Sequence, residues 1–359
     1  MRIVLSGGGT GGHIYPAIAI ANYIKEQNPD ASFLFIGNEG GMEAELVPRA
    51  GYAISYIRVQ GLKRKLTLEN LKTAARLITS RRAAAKILKE FQPDVVIGTG
   101  GYVCLPVMLA AAKLKIPSLV HEQNVFPGLA VRVSGRYADT AISFPETEKY
   151  FKKPPKRVIL TGNPIRPALL KAHEKQKGGE PLVLISGGSL GAAKINETLI
   201  ELLKMGGQDY YGIICSTGKR NYESVMETIR KENIRLCDNK QIVPYIHNMD
   251  EVMARADLAI SRAGAISVSE LCAMGKPAIL IPSPNVTNDH QTYNARAMEK
   301  NGAAVVVPES ELSGEVLAGQ IKTLLSNRTL LEEMSKKAKA SAICDACERI
   351  YAWVTEKTG

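Results

Sequence analysis

Two glycine-rich turns in this sequence have the composition of phosphate-binding loops. Residues 6–12 read Ser-Gly-Gly-Gly-Thr-Gly-Gly after the strand-like run 3–5, and residues 186–192 read Ser-Gly-Gly-Ser-Leu-Gly-Ala after the run 182–185. Such a turn lets backbone N–H groups approach an anion, and the start of the following helix supplies partial positive charge. The sequence therefore predicts one phosphate-binding turn in each half of the chain.

The first turn also matches the dinucleotide fingerprint Gly7-x-Gly9-x-x-Gly12, and Glu39 lies where a ribose-binding acid would. That match supports an oxidoreductase that uses a nicotinamide or flavin cofactor. The second turn has Ser189 in place of a fingerprint glycine, and two turns suit two ligands better than one dinucleotide. A P-loop ATPase is disfavoured because neither turn continues into Gly-Lys-Ser or Gly-Lys-Thr. A turn that only packs a helix against a sheet is the structural alternative for each.

Two groups of side chains could move a proton. His13 begins the helix behind the first turn, where the helix end disfavours its charged form and keeps it a usable base. Its alternative role is packing at the turn. Residues 121–124, His-Glu-Gln-Asn, follow the strand-like run 118–120 at the sheet edge where open α/β sheets bind ligands. They are either catalytic or polar loop residues. If His13 is not the general base, Glu122 is the next candidate.

The third polar cluster, residues 261–270, follows the run 258–260 and begins a helix. Ser267 and Glu270 have the spacing of a capping box, which would satisfy free helix N–H groups without a ligand. Glu270 would equally suit the two hydroxyls of a ribose. The sequence has no Asp-x-Asp and no metal-ligand spacing, so a leaving diphosphate would be stabilised by helix-start N–H groups and a cation such as Arg166. We expect no metal and no cofactor.

The elements that must position these residues alternate between strand and helix. Strands are predicted at residues 3–5, 33–36, 95–97, 118–120, 140–143 and 158–160, and again at 182–185, 212–215, 258–261, 278–281 and 303–307. Helices are predicted between them, including 17–27 and 70–91. This alternation predicts an α/β protein with two doubly wound, Rossmann-like parallel sheets.

The domain boundary is predicted in a proline-rich stretch near residues 162–167, which gives domains 1–163 and 164–359. The last helical stretch, about 330–357, could finish the second domain or pack back on the first. With 359 residues, 45% of them hydrophobic and 23% charged, the chain suits two folded domains. No apolar run reaches the ~20 residues that cross a bilayer, and no signal peptide precedes the first strand, so we expect a cytoplasmic protein.

Six motifs in order resemble a bacterial transferase family that adds N-acetylglucosamine to undecaprenyl-diphospho-muramoyl-pentapeptide, making lipid II from lipid I for peptidoglycan synthesis. The motifs are residues 8–16, 121–124, 162–166, 187–192, 261–265 with Ser269 and Glu270, and 289–291. The resemblance implies the B-type glycosyltransferase fold, with two domains facing across a cleft. The first domain would bind the acceptor, and the second would bind UDP-N-acetylglucosamine. The reaction would invert the sugar and form a β-1,4 bond.

The resemblance also implies roles for single residues. His13 would be the base for the acceptor hydroxyl, with Thr10, Gly11 and Gly12 by the diphosphate or acceptor. Donor contacts would come from Asn124 (transferred sugar), Arg166 and Ser189 (diphosphate), Ile246 (uracil), Glu270 (ribose) and Gln291 (sugar hydroxyls). The helix-start cradle would consist of Ala265, Ile266, Ser267, Val268 and Ser269. Relatives often carry Ser and Thr where this chain has Ala263 and Ser267, which leaves the donor assignment intact.

A basic segment predicts an anionic membrane surface as a partner. Its cations are Arg58, Lys63, Arg64, Lys65, Lys72, Arg76, Arg81, Arg82, Lys86 and Lys89, and the apolar residues among them are Leu66, Leu68, Leu71, Leu77, Ile78, Ile87 and Leu88. These leucines and isoleucines are alternatively ordinary core contacts. With a lipid-linked acceptor, the segment predicts a peripheral protein on the cytoplasmic face of the cell membrane.

The net charge of +11 attracts polyanions without choosing among them. The resemblance favours lipid and sugar-nucleotide partners and association with other cell-wall synthesis proteins over nucleic acid. Three rivals share the predicted architecture: a B-type transferase with another acceptor, a non-catalytic binding module, and a sugar-nucleotide epimerase. The epimerase would turn over UDP-N-acetylglucosamine without an acceptor, and the oxidoreductase would bind NAD.

Overall fold

The computed structural model describes residues 1–59, 68–171, 179–188, 190–206 and 210–359, and for residues 68–75 the backbone alone. The chain forms two compact units, one of Met1–Pro164 with Ile343–Gly359 and one of Ile165–Ala342. The chain thus enters the second unit within the predicted linker region, and its last helix belongs to the first unit.

The first unit contains seven strands and seven helices in the described residues. The strands are β1 (Arg2–Gly7), β2 (Ser32–Asn38), β3 (Ile54–Ile57), β4 (Val95–Gly100), β5 (Ser118–Glu122), β6 (Asp139–Ile142) and β7 (Arg157–Leu160). The helices are α1 (Gly11–Gln27), α2 (Glu43–Arg49), α3 (Leu68–Phe91), α4 (Cys104–Lys113), α5 (Leu129–Ser134), the 3-10 helix Pro145–Tyr150 and, at the chain end, α14 (Ala346–Thr358).

The second unit is built in the same way. Its strands are β8 (Leu182–Ser186), β9 (Gly212–Ser216), β10 (Lys240–Val243), β11 (Leu258–Ser261), β12 (Ala278–Leu280) and β13 (Ala304–Val306). Its helices are α6 (Pro167–Lys171), α7 (Ala193–Met205), α8 (Tyr222–Lys231), α9 (Met249–Arg255), α10 (Ala265–Ala273), α11 (His290–Lys300), α12 (Gly314–Leu325) and α13 (Arg328–Ala340), with 3-10 helices at Thr287–Asp289 and Glu309–Glu311.

Both sheets are parallel and doubly wound, which confirms the predicted fold class. The first has the strand order β3-β2-β1-β4-β5-β6-β7, and the second has the order β10-β9-β8-β11-β12-β13. Chain direction across the sheet reverses between β1 and β4 in the first unit and between β8 and β11 in the second. Ligands of open α/β sheets bind at such reversal points, beyond the carboxyl ends of the strands. The two predicted glycine turns follow β1 and β8 and therefore lie there.

The strands read as continuous apolar runs because helices cover both faces of each sheet. In β1, Ile3 and Leu5 pack into one core cluster with α1 and α14, while Val4 between them packs into a second cluster with α3 and α4. All three side chains are fully buried. Burial on both faces is what fixes this strand in the middle of its sheet.

The C-terminal stretch differs from the sequence prediction. Residues 330–357 were expected as one helical stretch, but the chain forms α13 and α14, separated by residues 341–345, where it passes from the second unit to the first. Helix α14 is held by Trp353, whose Nε1 donates to Asp139 Oδ2 at 2.9 Å, and by Arg349, which donates to the Leu160 carbonyl at 2.8 Å.

Two strands were missed by the sequence analysis. β3 and β10 are four-residue strands at the ends of their sheets, and each includes polar or exposed positions such as Tyr56 and Gln241. A short edge strand buries too little apolar surface to produce a clear pattern. Neither strand contributes to the reversal points, so the predicted location of the sites is unaffected.

Among the helices in the described part of the chain, none combines the length and apolar character that spanning a bilayer requires. In α3, Leu88 lies in the core and Ile87 packs against it, as the structural alternative anticipated, whereas Ile78 is 49% exposed. The cations Lys63, Arg64 and Lys65 and the apolar Leu66 lie outside the described residues, as do the side chains of Leu68, Leu71 and Lys72.

Candidate active site

The reversal point of the first sheet brings the turn after β1 against the turn after β4. Gly8 N donates to the Gly100 carbonyl at 3.3 Å. A Cβ atom on Gly101 would lie 2.3 Å from the Gly8 oxygen, and Gly101 has a φ of +82°, so both contact and conformation require glycine there. The predicted turn residues Thr10 and Gly12 are exposed and Gly11 is partly exposed, at the start of α1.

His13 is the third residue of α1 and its ring is held by the turn. Its Nδ1 lies 3.1 Å from the Gly8 oxygen and 3.2 Å from Thr10 Oγ1. A carbonyl oxygen can only accept, so the contact with Gly8 requires a hydrogen on Nδ1 and leaves Nε2 as the accepting nitrogen. The backbone is fixed as well, because Thr99 Oγ1 donates to the His13 carbonyl at 2.7 Å.

Glu43, which the sequence analysis did not select, contacts the same turn. It is the first residue of α2, is 1% exposed, and its Oε2 accepts from Gly9 N at 3.0 Å. The available signal was an acid two residues after the Gly40-Gly41 pair, which a sequence pattern alone does not connect to a turn more than 30 residues earlier.

His121 and Gln123 are structural residues. His121 is fully buried, its Nε2 contacts the Gly162 carbonyl at 2.9 Å, and its Nδ1 accepts from Gln123 Nε2 at 2.9 Å. Burial lowers the pKa of the His121 imidazole to about 4, against the opposing effect of the Gly162 hydrogen bond. The ring is therefore neutral near pH 7 and inaccessible, which disfavours a catalytic role. His121 lies within β5 and not in the loop that the sequence predicted.

Glu122 holds the following loop. Its side chain accepts from Asn124 N at 2.9 Å, from Asn124 Nδ2 at 3.1 Å and from Gly128 N at 2.7 Å. Burial raises the pKa of the Glu122 carboxyl, although these hydrogen bonds lower it. At 2% exposure it cannot meet a substrate hydroxyl, so it is a poor substitute for His13 as base. Its contact instead orients the partly exposed Asn124 amide.

The second unit gathers its predicted residues at the carboxyl edge of its own sheet. The glycine turn follows β8, and a Cβ on Gly187 would lie 2.4 Å from Ala192 N, while one on Gly191 would lie 2.0 Å from the Thr217 oxygen. Both positions thus exclude side chains. Ser189, predicted to contact a diphosphate, lies outside the described residues.

Helix α10 corrects the capping-box interpretation. The helix begins at Ala265 with Gly264 as its N-cap, so Ser267 is the third helical residue and Glu270 the sixth. A capping box needs its serine at the N-cap and its acid at the third helical position, so the pair cannot form one. The helix start does present the backbone of Ala265 and Ile266 at the reversal point next to the β8 turn, where the cradle was predicted.

Glu270 instead binds Arg166. Arg166 Nε donates to Glu270 Oε1 at 2.6 Å and Nη2 donates to Oε2 at 2.9 Å. The Glu270 side chain is 8% exposed and that of Arg166 is 51% exposed. A paired, planar arrangement of this kind fixes both groups strongly. Residues that the sequence assigned to a ribose and to a diphosphate therefore contact each other.

The remaining predicted donor residues follow two other strands of the second sheet. Ile246 follows β10 and is 5% exposed, so its side chain is not available to a ligand. Gln291 is the second residue of α11, and its Oε1 accepts from Ser283 N at 2.9 Å. Glu39, the ribose candidate of the oxidoreductase alternative, is exposed and pairs with Arg58 at 3.0 Å. In the described ranges, no three His, Cys, Asp or Glu side chains are grouped to hold a metal ion.

The sequence matches one family over both units. Residues 3–143 match the glycosyltransferase family 28 N-terminal domain, and residues 182–350 match the glycosyltransferase family 28 C-terminal domain.

Two similar proteins carry the same transferase name. A protein of Caldanaerobacter subterraneus subsp. tengcongensis, named UDP-N-acetylglucosamine–N-acetylmuramyl-(pentapeptide) pyrophosphoryl-undecaprenol N-acetylglucosamine transferase, is 51% identical over 99% of both chains. A protein of the same name from Alkaliphilus oremlandii is 48% identical over 98% of both chains. The crystal structure of Acinetobacter baumannii MurG superimposes with a TM-score of 0.83 at 31% identity, covering 99% of each chain.

Proposed function

The chain belongs to glycosyltransferase family 28, and we propose that it transfers N-acetylglucosamine from UDP-N-acetylglucosamine to the C4 hydroxyl of the muramoyl sugar of lipid I, giving lipid II for peptidoglycan synthesis. The observation that carries this proposal is the identity of about half of all residues to transferases of that name along nearly their whole length. The two doubly wound units are those of the B-type glycosyltransferase fold.

His13 is the proposed general base. The Gly8 carbonyl fixes a hydrogen on Nδ1, so Nε2 is the nitrogen that can take a proton. Its position at the start of α1, where the helix end carries partial positive charge, disfavours the charged form of the ring. The turn residues Thr10, Gly11 and Gly12 surround that helix start, and their backbone N–H groups suit the diphosphate of a lipid-linked acceptor.

The proposed reaction moves one proton and exchanges one bond. The C4 oxygen of the acceptor attacks the anomeric carbon of the N-acetylglucosaminyl group, and the bond from that carbon to UDP breaks. His13 takes the hydroxyl proton as the new bond forms. Attack from the face opposite the leaving group inverts the sugar and gives the β-1,4 bond. Asn124, with its amide oriented by Glu122, is the proposed contact of the transferred sugar.

The second unit is proposed to bind the donor. Its reversal point combines the β8 turn with the start of α10, two sets of backbone N–H groups that can stabilise a leaving diphosphate. The Ile246 backbone would bind uracil, Glu270 the ribose and Gln291 the sugar hydroxyls. Arg166, held by Glu270, would add a positive charge on the diphosphate side.

We further propose a peripheral location on the cytoplasmic face of the cell membrane. The described part of α3 presents exposed cations at Arg76, Arg82 and Lys89 and the exposed Ile78. Each cation near an anionic leaflet contributes about 1 kcal/mol to binding. A lipid-linked acceptor requires the first unit to reach a sugar close to the head groups, which this face would allow.

A three-arm acceptor experiment tests the proposed function. Purified protein is incubated with labelled UDP-N-acetylglucosamine and a lipid I analogue, with the same analogue lacking the muramoyl C4 oxygen, or with no acceptor. We expect a labelled disaccharide in the first arm alone. Turnover without acceptor would indicate an epimerase. Saturable donor binding without turnover in any arm would indicate a binding module. Transfer to the deoxy analogue would show that another hydroxyl accepts the sugar.

A further inference from the structure

Glu43 is a buried acid that the proposed reaction leaves without a role. Its Oε2 accepts from Gly9 N at 3.0 Å and its Oε1 accepts from Asn38 N at 2.9 Å. At 1% exposure the carboxylate has little access to water, so its oxygens depend on such N–H donors. The side chain therefore bridges the end of β2 and the glycine turn after β1.

Three glycines provide the space for this carboxylate. A Cβ atom on Gly8 would lie 2.3 Å from Glu43 Oε1, one on Gly41 would lie 2.5 Å from Oε2, and one on Gly37 would lie 2.7 Å from Cγ. Real side chains do not approach so closely, so any larger residue at these positions would displace the acid. The chain keeps small residues on three sides of one buried charged group.

A single peptide group connects Glu43 to His13. The Gly9 N–H donates to the Glu43 carboxylate at 3.0 Å, and the carbonyl oxygen of that same peptide, which belongs to Gly8, accepts from His13 Nδ1 at 3.1 Å. Donation to a charged acceptor polarises a peptide group and makes its carbonyl a stronger acceptor. Gly9 also has a φ of +81°, a left-handed conformation that glycine adopts without strain.

We propose that Glu43 is a positioning residue that acts on His13 through the Gly8–Gly9 peptide. It holds the peptide so that the Gly8 oxygen faces Nδ1, which keeps the hydrogen on Nδ1 and leaves Nε2 basic. Thr10 Oγ1 also contacts Nδ1, but a hydroxyl can donate or accept and so does not select a tautomer by itself. The catalytic consequence rests on the proposed function of His13, whereas the tautomer is a property of the protein without substrate.

The first test measures the ring directly. The five histidines are labelled with ¹⁵N, and the His13 signals are identified by their loss in His13→Ala. We expect the wild-type ring to carry its hydrogen on Nδ1 and Glu43→Gln to increase the Nε2–H form. Glutamine can offer its oxygen to only one of the two N–H groups, and its own amide N–H groups oppose the other. Glu45→Gln, on the exposed side of α2, is the matched control and should leave the ring unchanged.

The second test measures whether Glu43 acts through His13. We expect Glu43→Gln to lower kcat by ~10–100-fold, as small misplacements of a reacting group do, with the KM for UDP-N-acetylglucosamine unchanged. In the His13→Ala background the same substitution should change kcat by less than about 2-fold, because its effect has lost its target.

Two results would overturn the proposal. One is a folded Glu43→Gln protein whose His13 nitrogens match those of the wild type, whatever its activity. The other is an equal loss of kcat with and without His13, which would make Glu43 a support of the turn alone.

If Glu43→Gln does not fold, Glu43→Asp tests the same bond, because it keeps the charge and withdraws the carboxylate by one methylene. A normal kcat in His13→Ala would count against the proposed function, while the ring measurement would still decide the role of Glu43.

Discussion

Arg166 and Glu270 form a two-fold hydrogen-bonded ion pair across 104 residues of sequence, with distances of 2.6 and 2.9 Å. The pair connects the start of the second unit to helix α10 at the proposed donor site. The Glu270 side chain is 8% exposed, so this guanidinium is the partner of a buried carboxylate. The same contact therefore affects both the folding of the unit and the position of two groups that are proposed to bind the donor.

We expect Glu270→Ala to weaken UDP binding by about 1.5–3 kcal/mol, the value of hydrogen bonds to a charged group, measured by titration calorimetry. Glu227→Ala, in an exposed pair on α8, is the control and should bind UDP normally. Unchanged UDP affinity in Glu270→Ala would confine the residue to its pairing with Arg166.

The pair also predicts a coupled effect on stability. Arg166→Ala leaves the Glu270 carboxylate without its guanidinium and should lower the free energy of unfolding by about 1–3 kcal/mol. In a Glu270→Ala background the same substitution should cost much less, because no charge is left unpaired. Additive costs in a denaturant-unfolding cycle would show that the two side chains contribute independently.

For His13 we expect His13→Ala to lower kcat by ~10²–10⁴-fold with donor affinity little changed, since a base acts on the acceptor in the transition state. His13→Asn separates the two roles of the residue, because its amide can still donate to the turn but cannot take a proton. Recovery of kcat in His13→Asn would return His13 to a packing role at the turn.

His121 predicts a pH dependence of stability. Its pKa is lowered from 6.5 to about 4 in the folded protein, so the unfolded chain binds a proton that the folded chain does not between those values. The contribution of His121 to the free energy of unfolding should therefore be fully present above pH 6.5. It should fall on acidification toward pH 4, by up to about 1.4 kcal/mol per pH unit. The neighbouring Glu122 has a raised pKa, so its contribution to the free energy of unfolding changes with pH in the opposite direction. Because Glu122 is present in the wild type and in any His121 variant, a comparison of the two isolates the contribution of His121.

Unfolding curves at several pH values isolate this contribution. The free energy of unfolding of the wild type minus that of His121→Gln should rise with pH between pH 4 and 6.5. The free energy of unfolding of His247→Gln, a substitution at an exposed histidine, should parallel that of the wild type. Parallel curves for wild type and His121→Gln would show that the buried ring does not control acid stability.

At the membrane we expect binding to anionic vesicles that weakens with salt, because exposed cations are screened beyond about 10 Å at 0.1 M. Replacing Arg76 and Arg82 by Ser should weaken it, as should replacing Lys63, Arg64 and Lys65, which lie outside the described residues. Arg49→Ser, an exposed cation on α2, is the control. Equal binding to neutral and anionic vesicles in a sedimentation assay would contradict electrostatic docking.

The position of the two glycine turns after β1 and β8, where we place the candidate site, was predictable because glycine turns after apolar runs indicate the carboxyl edge of a parallel sheet. The spacing of Ser267 and Glu270 misled because the helix start depends on Gly264 and on the end of β11, not on the serine. The Arg166–Glu270 and Glu43–Gly9 contacts join residues 104 and 34 positions apart. Such partners are determined by how helices pack on a sheet, which a single sequence does not specify.

The most direct test of the proposed reaction is transfer of radiolabelled N-acetylglucosamine from its UDP donor to a lipid I analogue in the presence of EDTA. Helix-start N–H groups and Arg166 can stabilise the leaving diphosphate, and the sequence offers no Asp-x-Asp pair for a metal. We expect labelled lipid II, joined through the muramoyl C4 oxygen, at an undiminished rate. No transfer, or transfer that EDTA abolishes and magnesium restores, would contradict it.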